Sequence, residues 1–285
     1  MSEIIDGKKI SSDIRSEIKT KVDQLKQKGI TPGLAVVLVG ENPASKVYVS
    51  MKQKACANLG IYSEEHKLDG STSQEILIQL INKLNADPKI NGILVQLPLP
   101  KQIDENAVLE TIVPEKDVDG FHPYNVGKLV AGSPTFVACT PYGVIKLLEY
   151  SKVDMAGKEA VIIGRSNIVG KPVAMLLMQA NATVTICHSK TKDLPSVCRR
   201  ADILIAAIGK PKMVTKEYVK KDAVVIDVGT NRLPDGSLCG DVDFEDVKDI
   251  ASKITPSPGG VGPMTITMLM YNTVKSVKMA NGIKT

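Results

Sequence analysis

The chain has 285 residues, more than a single domain usually contains, so two domains are expected. Hydrophobic residues make up 43% of it and charged residues 24%, the balance of an ordinary globular protein. A net charge of +5 without a dense basic block, together with only 4% aromatic residues, argues against nucleic-acid binding and favours at most a small polyanionic ligand.

The start of the chain and its cysteines indicate a cytoplasmic protein. Residues 1–9 carry charges where a signal peptide needs an apolar core, and no apolar run approaches membrane-spanning length. The five cysteines lack metal-type spacing and give no sign of an oxidising compartment. Three widely separated histidines argue against a metal site, so we expect no bound metal. Because no apolar run is long enough to span a membrane, we also expect no contact with a membrane.

An amphipathic helix is predicted first, over residues 9–28, from apolar residues at helical spacing followed by Gly29. Leu34 to Val39 is an unbroken apolar run, which is typical of a strand buried on both faces of a parallel sheet. Gly40 ends this predicted strand.

A second helix is predicted to begin at Pro43, with Asn42 as its cap, and it carries a Tyr-x-x-x-Lys pair. Tyr48 and Lys52 lie one turn apart on one flank of the apolar stripe, so a phenol and an ammonium can point into one partly desolvated cleft. Lys54 lies on the opposite flank at a similar angle, and helical geometry alone does not choose between the two lysines. The simpler interpretation of either lysine is a solvated surface residue.

The next predicted helix has Thr72 as its cap, Glu75 completing a capping box, and an end near Ala86. A strand from Gly92 follows and is halted by a Pro-Leu-Pro sequence. Gln96 therefore lies at the carboxyl end of a strand, where open parallel sheets bind their ligands. A glutamine at this point can equally well bond only its neighbouring backbone.

Two aspartates at alternate positions, Asp117 and Asp119, mark a polar turn within residues 114–120. Paired carboxylates can cap backbone groups, bind a cation or hold the amino groups of a ligand, and capping is the commonest use. Beyond the turn, Thr140 is predicted to cap a helix that begins at Pro141 and connects two domains.

From residue 159 onward, strands and helices alternate regularly. Strands are predicted at residues 159–163, 182–187, 202–208 and 223–227. This spacing indicates a parallel sheet wound in the dinucleotide-binding manner. The fold class is therefore α/β, with an N-terminal three-layer α/β catalytic domain, a Rossmann-type parallel-sheet dinucleotide domain and a cleft between them.

Two glycine-rich turns accompany this second domain. The first contains Gly164 and Gly170, but Ser166 stands where the common fingerprint has its middle glycine. A turn between a buried strand and a helix often binds phosphate, although a tight turn without a ligand is the plain alternative. The second turn, residues 255–265, enters the last predicted helix, and its glycines permit close approach of a planar ligand or simply form a helix entry.

The order of these parts narrows the class of enzyme. In short-chain dehydrogenases a glycine turn precedes the Tyr-x-x-x-Lys pair, whereas here it comes long after the pair. The order instead resembles that of amino-acid dehydrogenases and shikimate dehydrogenase, in which a catalytic α/β domain is followed by a dinucleotide domain. Pattern alone thus predicts an NAD(P) oxidoreductase with a lysine in its cleft.

Six ordered strings carry a closer resemblance. They are PASKVYVSMK at 43–52, GILVQLPLP at 92–100, PEKDVDG at 114–120, GRSNIVGKP at 164–172, CHSKT at 187–191 and PGGVGPMT at 258–265. Together they resemble the bifunctional methylenetetrahydrofolate dehydrogenase/methenyltetrahydrofolate cyclohydrolase family over nearly the whole chain. The resemblance implies that a hydride passes from methylenetetrahydrofolate to NADP, and that water then opens the methenyl product to 10-formyltetrahydrofolate.

Two alternatives remain beside this interpretation. One is a member that has kept only the dehydrogenase or only the cyclohydrolase step. The other is a catalytically silent NADP-binding or scaffold protein, although a scaffold needs none of Tyr48, Lys52, Gln96 and Asp119.

The resemblance also implies residue roles. Lys52 would be the general acid/base of the hydrolysis with Gln96 bonded to it, Tyr48 would stack near the folate, and Asp119 would hold the pterin amino groups. The folate site would comprise Tyr48, Val49, Ser50, Met51, Lys52, Val95, Gln96, Leu97, Asp119, Pro258, Gly259, Gly260, Val261 and Gly262. The dinucleotide would be held by Gly164, Arg165, Ser166, Ser189 and Thr230.

The second strand of the dinucleotide domain indicates NADP rather than NAD. NAD-specific folds place an Asp or Glu at the end of this strand, about 20 residues past the glycine turn. Here the strand ends in Cys187-His-Ser189-Lys190, with no acid to repel a 2′-phosphate. Arg165 is placed to pair with that phosphate, and Ser189 can donate a further bond.

Two positions depart from the family's usual sequence. Ala138 stands where a proline is common, and Thr230 where an isoleucine is common. The resemblance assigns residues 1–140 plus 264–285 to the folate-binding catalytic domain and 141–263 to the NADP-binding domain. It also implies a homodimer, but no apolar stripe predicts the interface.

Overall fold

The computed structural model describes residues 2–284, apart from the side chain of residue 44. In the first half of the chain the elements are β1 (Glu3–Ile4), α1 (Gly7–Gln27), β2 (Gly33–Val39), α2 (Pro43–Leu59), β3 (Tyr62–Leu68), α3 (Gln74–Ala86), β4 (Gly92–Val95), α4 (Glu105–Thr111) and α5 (Pro123–Val130). In the second half they are α6 (Cys139–Tyr150), β5 (Glu159–Ile163), α7 (Gly170–Gln179), β6 (Thr183–Cys187), α8 (Leu194–Cys198), β7 (Ile203–Ala206), β8 (Val224–Asp227), β9 (Asn231–Arg232), β10 (Leu238–Cys239), α9 (Phe244–Val247), β11 (Lys253–Ile254) and α10 (Val261–Ala280). A short 3₁₀ turn covers Lys216–Tyr218.

These elements form two compact units. The three-stranded unit consists of Asp13–Cys139 and the residues from Ile266 on, and the six-stranded unit consists of Thr140–Thr265 and the residues up to Ser12. The predicted α/β class with two domains is confirmed. The predicted functional division, which places the first residues in the catalytic domain, stays a prediction.

The three-stranded unit is built on a parallel sheet in the order β3-β2-β4. β2 is central and every one of its residues is buried, as its unbroken apolar sequence predicts. α2 packs against β2 and β3, and α3 packs against β4. The loops that leave β2 and β4 therefore meet at one edge of the sheet, and they lead to α2 and to Gln96.

The helix boundaries in this unit follow local capping chemistry. Asn42 caps α2 as predicted, because its Oδ1 accepts a bond from the Ser45 amide at 3.1 Å. The prediction that Thr72 caps the next helix is wrong. Ser73 is the cap, since it has extended backbone angles and its hydroxyl accepts from the Ile76 amide, whereas the Thr72 amide is bonded in the preceding turn.

A second boundary also differs from the prediction. α6 begins at Cys139, not at Pro141, and the Thr140 hydroxyl bonds the Thr265 hydroxyl at 2.8 Å instead of capping the helix. Pro141 lies in the first turn of α6, where its missing N–H leaves no helical bond unmade.

The six-stranded unit is built on a parallel sheet in the order β1-β11-β8-β7-β5-β6. β5 has β6 on one side and β7 on the other, so the chain reverses its direction of winding there. Such a switch point, at the carboxyl ends of the strands, is the usual ligand position of an open α/β sheet. The parallel dinucleotide-type sheet predicted from the alternating pattern is confirmed.

The first residues of the chain belong to this sheet because β1 pairs in parallel with β11. A buried apolar cluster on β5, β7 and β8, with Val214, Val242 and Val247, forms the core of the six-stranded unit. Among the helices of residues 2–284, none is long and apolar enough to cross a membrane.

Candidate active site

A buried lysine and a glutamine meet at the carboxyl edge of the three-stranded sheet. Lys52 lies on α2 with 7% of its surface exposed, and Gln96 comes directly after β4. The Lys52 Nζ donates a hydrogen bond to the Gln96 Oε1 at 2.8 Å. The Gln96 Nε2 donates to the Leu97 carbonyl at 2.7 Å and so fixes the orientation of the amide. The glutamine thus bonds both its backbone neighbour and the lysine.

Burial distinguishes the two lysines that helical geometry left equivalent. Lys54 is exposed, whereas Lys52 is buried. Loss of hydration lowers the pKa of Lys52, and the nearby Asp119 carboxylate opposes that change. Because Gln96 is neutral, it orients the ammonium without holding its charge. Lys52 is therefore the lysine that can lose a proton more readily than a surface lysine.

The carboxylate of Asp119 belongs to the same cluster. Loss of hydration raises the pKa of Asp119 to about 6, and Lys52 opposes that rise. The Cys139 thiol, 1% exposed, lies within hydrogen-bonding reach of this carboxylate, and burial raises the pKa of the thiol. Sequence reasoning missed Cys139 as a member of the cluster. The only signal for it was its place in a Cys-Thr-Pro string beside a helix start.

The neighbouring Asp117 has a different task, which is to hold the turn. Its carboxylate accepts hydrogen bonds from the amides of Gly120, Phe121 and His122, at 3.1, 3.1 and 2.9 Å, and from the Asn125 side chain at 2.8 Å. The capping interpretation considered for both aspartates therefore describes Asp117. Asp119 is instead coupled electrostatically to Lys52, and its predicted role toward the pterin stays a prediction.

The remaining predicted folate residues of this unit differ in exposure. Tyr48 is half-buried one helical turn before Lys52, and the side chains of Ser50 and Met51 are exposed. Val49 and Val95 are buried core residues. Leu97 is half-buried beside Gln96.

The glycine turn of the six-stranded unit lies at the switch point of its sheet. Gly164 follows β5 with φ +133°, and a Cβ there would lie 2.2 Å from the Ala207 carbonyl oxygen. A Cβ on Gly170 would lie 2.2 Å from the Gly164 oxygen. Ser166, at the place of the usual middle glycine, accepts hydrogen bonds from the Val169 and Gly170 amides. The serine thus stabilises the entry to α7, and a glycine turn at the start of a helix is a common place for a phosphate to bind.

The other predicted dinucleotide residues follow the carboxyl ends of neighbouring strands. Arg165, Ser189 and Thr230 are exposed and come after β5, β6 and β8. The three residues directly after β6 are His188, Ser189 and Lys190, none of them an acid, and the Lys190 amide donates to the His188 Nδ1 at 3.1 Å. This edge therefore offers hydroxyl and cationic groups, which suit a phosphate.

The second glycine-rich turn also belongs to the six-stranded unit. It includes the predicted folate residues Pro258, Gly259, Gly260, Val261 and Gly262. A Cβ on Gly7 would lie 1.9 Å from the Gly260 oxygen, so the turn packs directly on the start of α1. The Ser257 hydroxyl donates to the Gly229 carbonyl at 2.8 Å, which ties the turn to the loop after β8.

No group of three or more His, Cys, Asp and Glu side chains within residues 2–284 is arranged to hold a metal ion. The groups that this site offers within the described residues are a buried lysine, two carboxylates, a side-chain amide and a glycine turn.

A Rossmann-type unit joined to a second parallel α/β unit with a buried lysine defines a class of two-domain nucleotide-binding α/β proteins. Residues 5–119 match the family model described as the catalytic domain of tetrahydrofolate dehydrogenase/cyclohydrolase, and residues 138–281 match its NAD(P)-binding domain. The chain belongs to the tetrahydrofolate dehydrogenase/cyclohydrolase family.

Individual relatives agree over nearly the full length. The bifunctional protein FolD of Geotalea daltonii is 63% identical over 278 residues, 98% of this chain and 99% of that protein. The bifunctional FolD structure from Campylobacter jejuni matches with a TM-score of 0.96 and 52% identity, over 98% of this chain and 100% of that one. The FolD structure from Trypanosoma brucei, complexed with NADP and an inhibitor, matches with a TM-score of 0.94 and 40% identity, over 98% of each chain. The family predicted from the six strings is confirmed.

Proposed function

We propose that this chain oxidises 5,10-methylenetetrahydrofolate to 5,10-methenyltetrahydrofolate with NADP and then hydrolyses the product to 10-formyltetrahydrofolate. The observation that carries the proposal is the 2.8 Å bond between the buried Lys52 and Gln96, with Asp119 beside the ammonium. The bifunctional names of the similar proteins support it.

Lys52 is the proposed general base of the hydrolysis. In its neutral form Nζ accepts a proton from water as the water oxygen bonds to the methenyl carbon. The same proton then passes to the folate N5 as the bond between N5 and that carbon breaks. The hydroxyl of the adduct releases its remaining proton to solvent as its oxygen becomes the carbonyl oxygen, which leaves the formyl group on N10. Gln96 orients Nζ for both transfers. A positioned acid/base of this kind contributes ~10²–10⁴-fold to a rate.

Asp119 is the proposed anchor for the pterin. As an anion its carboxylate accepts two N–H bonds from the guanidine-like edge of the ring, and such charge-assisted bonds are stronger than neutral ones. Because the pKa of Asp119 is raised to about 6, the carboxylate loses its charge as the pH falls through that value. Folate affinity should therefore weaken below about pH 6.

The dinucleotide is proposed to lie on the glycine turn after β5. When bound, NADP accepts a hydride from the methylene carbon. Gly164 and Gly170 keep the backbone free of Cβ atoms at this turn, and Ser166 holds its shape. Arg165 and Ser189 are the proposed partners of the 2′-phosphate, and Thr230 contacts the dinucleotide beyond β8. NADP is therefore proposed over NAD.

Turnover with both cofactors tests this function and its alternatives. The protein is supplied with methylenetetrahydrofolate and either NADP or NAD, and the formation and the decay of the methenyl product are followed separately. Formation with NADP followed by enzyme-dependent decay is the expected result. Loss of either phase would indicate a member with one activity, and loss of both would indicate a silent NADP-binding protein.

We also propose that the protein is a cytoplasmic homodimer. All five cysteines are buried free thiols, which suits a reducing compartment. Light scattering coupled to size-exclusion chromatography should give twice the mass of the 30.6 kDa chain. A mass equal to a single chain across the concentrations tested would contradict the dimer.

A further inference from the structure

Two buried aspartates of the six-stranded unit accept an unusual number of main-chain hydrogen bonds. Asp227 ends β8 and is 3% exposed, and Asp241 follows β10 and is fully buried. The Asp227 carboxylate accepts bonds from the amides of Gly229, Asp241 and Val242, at 2.9, 2.9 and 3.0 Å. It therefore ties the loop after β8 to the segment after β10.

The second carboxylate extends this network to the loop after β7. Asp241 accepts bonds from the consecutive amides of Ile208, Gly209 and Lys210, at 2.6, 3.0 and 2.9 Å. It also accepts from the Asn231 side chain at 2.9 Å, at the base of the β9–β10 hairpin. Three segments far apart in the sequence are thus held by one pair of side chains.

The backbone around the pair leaves space only for these carboxylates. A Cβ on Gly229 would lie 2.4 Å from the Asp241 Cγ, and a Cβ on Gly240 would lie 1.7 Å from the Asp227 Oδ2. Both glycines are therefore required by the network itself.

The network lies at the edge of the sheet where a ligand is expected. The loops that it holds follow the carboxyl ends of β7 and β8. The loop after β7 also contacts the glycine turn, because Gly164 approaches the Ala207 carbonyl too closely for any side chain. A shift of the loop after β7 would therefore displace the turn on which the dinucleotide is proposed to lie.

Holding these loops with an ionised Asp227 lowers the free energy of unfolding near neutral pH. Burial raises the pKa of Asp227 to about 6, and the charge of Asp241 adds to that rise. A group whose pKa is raised on folding binds protons more tightly in the folded state, so its ionised form destabilises the fold as the pH rises toward neutrality. Neutral groups could accept the same amides without this penalty, so the Asp227 carboxylate is better explained by the loop geometry that it fixes.

We propose that Asp227 and Asp241 are positioning residues that set the loops after β7 and β8 for the dinucleotide. Hydride transfer then depends on the pair far more than hydrolysis of a supplied methenyl substrate, which needs no dinucleotide. The proposal rests on the proposed NADP-dependent function.

The test is the full-length Asp241→Asn variant, which keeps the shape of the side chain but turns an amide NH₂ toward main-chain donors. We measure the KM for NADP, the kcat of the dehydrogenase, and the hydrolysis of methenyltetrahydrofolate without dinucleotide, well below the thermal midpoint of the variant. Loss of bonds to a charged acceptor should reduce kcat/KM for NADP roughly 10- to 150-fold. Hydrolysis should fall much less, because it needs no dinucleotide, although the Ser257 bond to the Gly229 carbonyl also links this network to the predicted folate turn.

Asp202→Asn is the matched control. Asp202 comes directly before β7, so it lies at the amino ends of the strands, away from the loops that the Asp227 and Asp241 pair holds. There it accepts the Glu159 amide at 2.9 Å and pairs with Lys220 at 2.7 Å. Its loss should lower the thermal midpoint and leave the NADP kinetics unchanged. An Asp241→Asn variant with the same behaviour would overturn the positioning role.

Asn231→Ala is the second variant, and it keeps the test decisive if Asp241→Asn does not fold. It removes one donor to Asp241 and should shift the NADP kinetics in the same direction by a smaller factor. Unchanged NADP kinetics in a folded Asn231→Ala protein would overturn the proposal. A wild-type protein that does not turn over NADP would instead overturn the proposed function.

Discussion

Asp119 and Lys52 influence each other, because each is withdrawn from water and each lies in the electric field of the other. Burial lowers the pKa of Lys52, and the Asp119 charge raises it again. The ionisation of the two residues is therefore coupled. The carboxylate that is proposed to hold the pterin also raises the pKa of the proposed base, so Lys52 loses its proton only at a higher pH.

This coupling predicts how the Asp119→Asn variant should behave. Folate affinity should fall by roughly 1.5–3 kcal/mol, the value of a hydrogen bond to a charged group. The pKa of Lys52 should also fall, because the charge that raised it is gone. Since hydrolysis needs neutral Lys52, the rise of its kcat with pH should move to lower pH. The measurement is the pH profile of hydrolysis, together with the affinity for each ligand.

NADP affinity serves as the internal control for this variant and should be almost unchanged. Equal weakening of folate and NADP would show that Asp119 only supports the turn, as Asp117 does. An unshifted pH profile would show that another group is the base.

Arg165 tests the proposed choice of NADP. It is exposed at the glycine turn, and it is proposed to pair with the 2′-phosphate. Arg165→Ala should reduce NADP affinity by roughly 1.5–3 kcal/mol and leave NAD affinity nearly unchanged. The preference for NADP should also shrink as salt rises, because an exposed charge pair is screened. Titration of both cofactors at two ionic strengths measures this.

Arg199→Ala removes the same charge from the same unit and is the control. The Arg199 guanidinium donates to the Glu217 carbonyl at 2.7 Å, away from the glycine turn in sequence. Loss of both cofactors in equal measure by Arg165→Ala would contradict the phosphate assignment, while the folate function would stand.

At the residue scale, the sequence indicated which kinds of side chain could form a site, but it did not show what surrounds each of them in the fold. Its pattern could not choose between Lys52 and Lys54, because the side of a helix that becomes desolvated depends on what packs against it. It could not separate the tasks of Asp117 and Asp119 for the same reason. Cys139 escaped prediction because a buried thiol in an irregular segment has no periodic signal.

At the scale of elements, α3 shows that a single capping residue determines where a helix begins. Thr72 and Ser73 are adjacent hydroxyl residues, and only Ser73 accepts a bond from the helix, at the Ile76 amide. Ser73→Ala should lower the free energy of unfolding of the three-stranded unit by about 0.5–2 kcal/mol, the usual value of an N-cap. Urea unfolding followed by circular dichroism measures the change.

Thr72→Ala is the matched control for this substitution and should be close to neutral. A larger loss of stability from Thr72→Ala than from Ser73→Ala would restore the cap that the capping-box pattern predicted.

The strands buried on both faces were predictable, whereas the polar strand and the very short strands were not. β3 has seven residues, but its sequence is largely polar and it was not predicted. Strands such as β2 and β5 are buried on both faces, so they appear in the sequence as apolar runs between turn residues. β1 and β11 have two residues each, too few for any periodicity. Their pairing is a tertiary event, so no local sequence pattern predicts it.

At the scale of the whole molecule, the groups proposed for hydrolysis and those proposed to hold the dinucleotide belong to different parts of the chain. Lys52, Gln96 and Asp119 belong to the three-stranded unit, and the glycine turn with Arg165 and Ser189 belongs to the six-stranded unit. If each set does what is proposed, one substitution in the three-stranded unit should separate hydrolysis from oxidation within a single polypeptide.

The most direct test is the full reaction of Lys52→Met, which keeps the length of the side chain and removes its charge and basicity. Methylenetetrahydrofolate and NADP are supplied, and NADPH and methenyltetrahydrofolate are measured together over time. Lys54→Met, a change at an exposed lysine two residues further along α2, is the control and should behave as the wild type.

The expected result is that Lys52→Met still produces NADPH while methenyltetrahydrofolate accumulates in equal amount, since enzyme-dependent hydrolysis is reduced by ~10²–10⁴-fold. The wild type and Lys54→Met should convert the same intermediate to 10-formyltetrahydrofolate without accumulation. A folded Lys52→Met protein that hydrolyses the intermediate at the wild-type rate would contradict the assignment of Lys52 as the base.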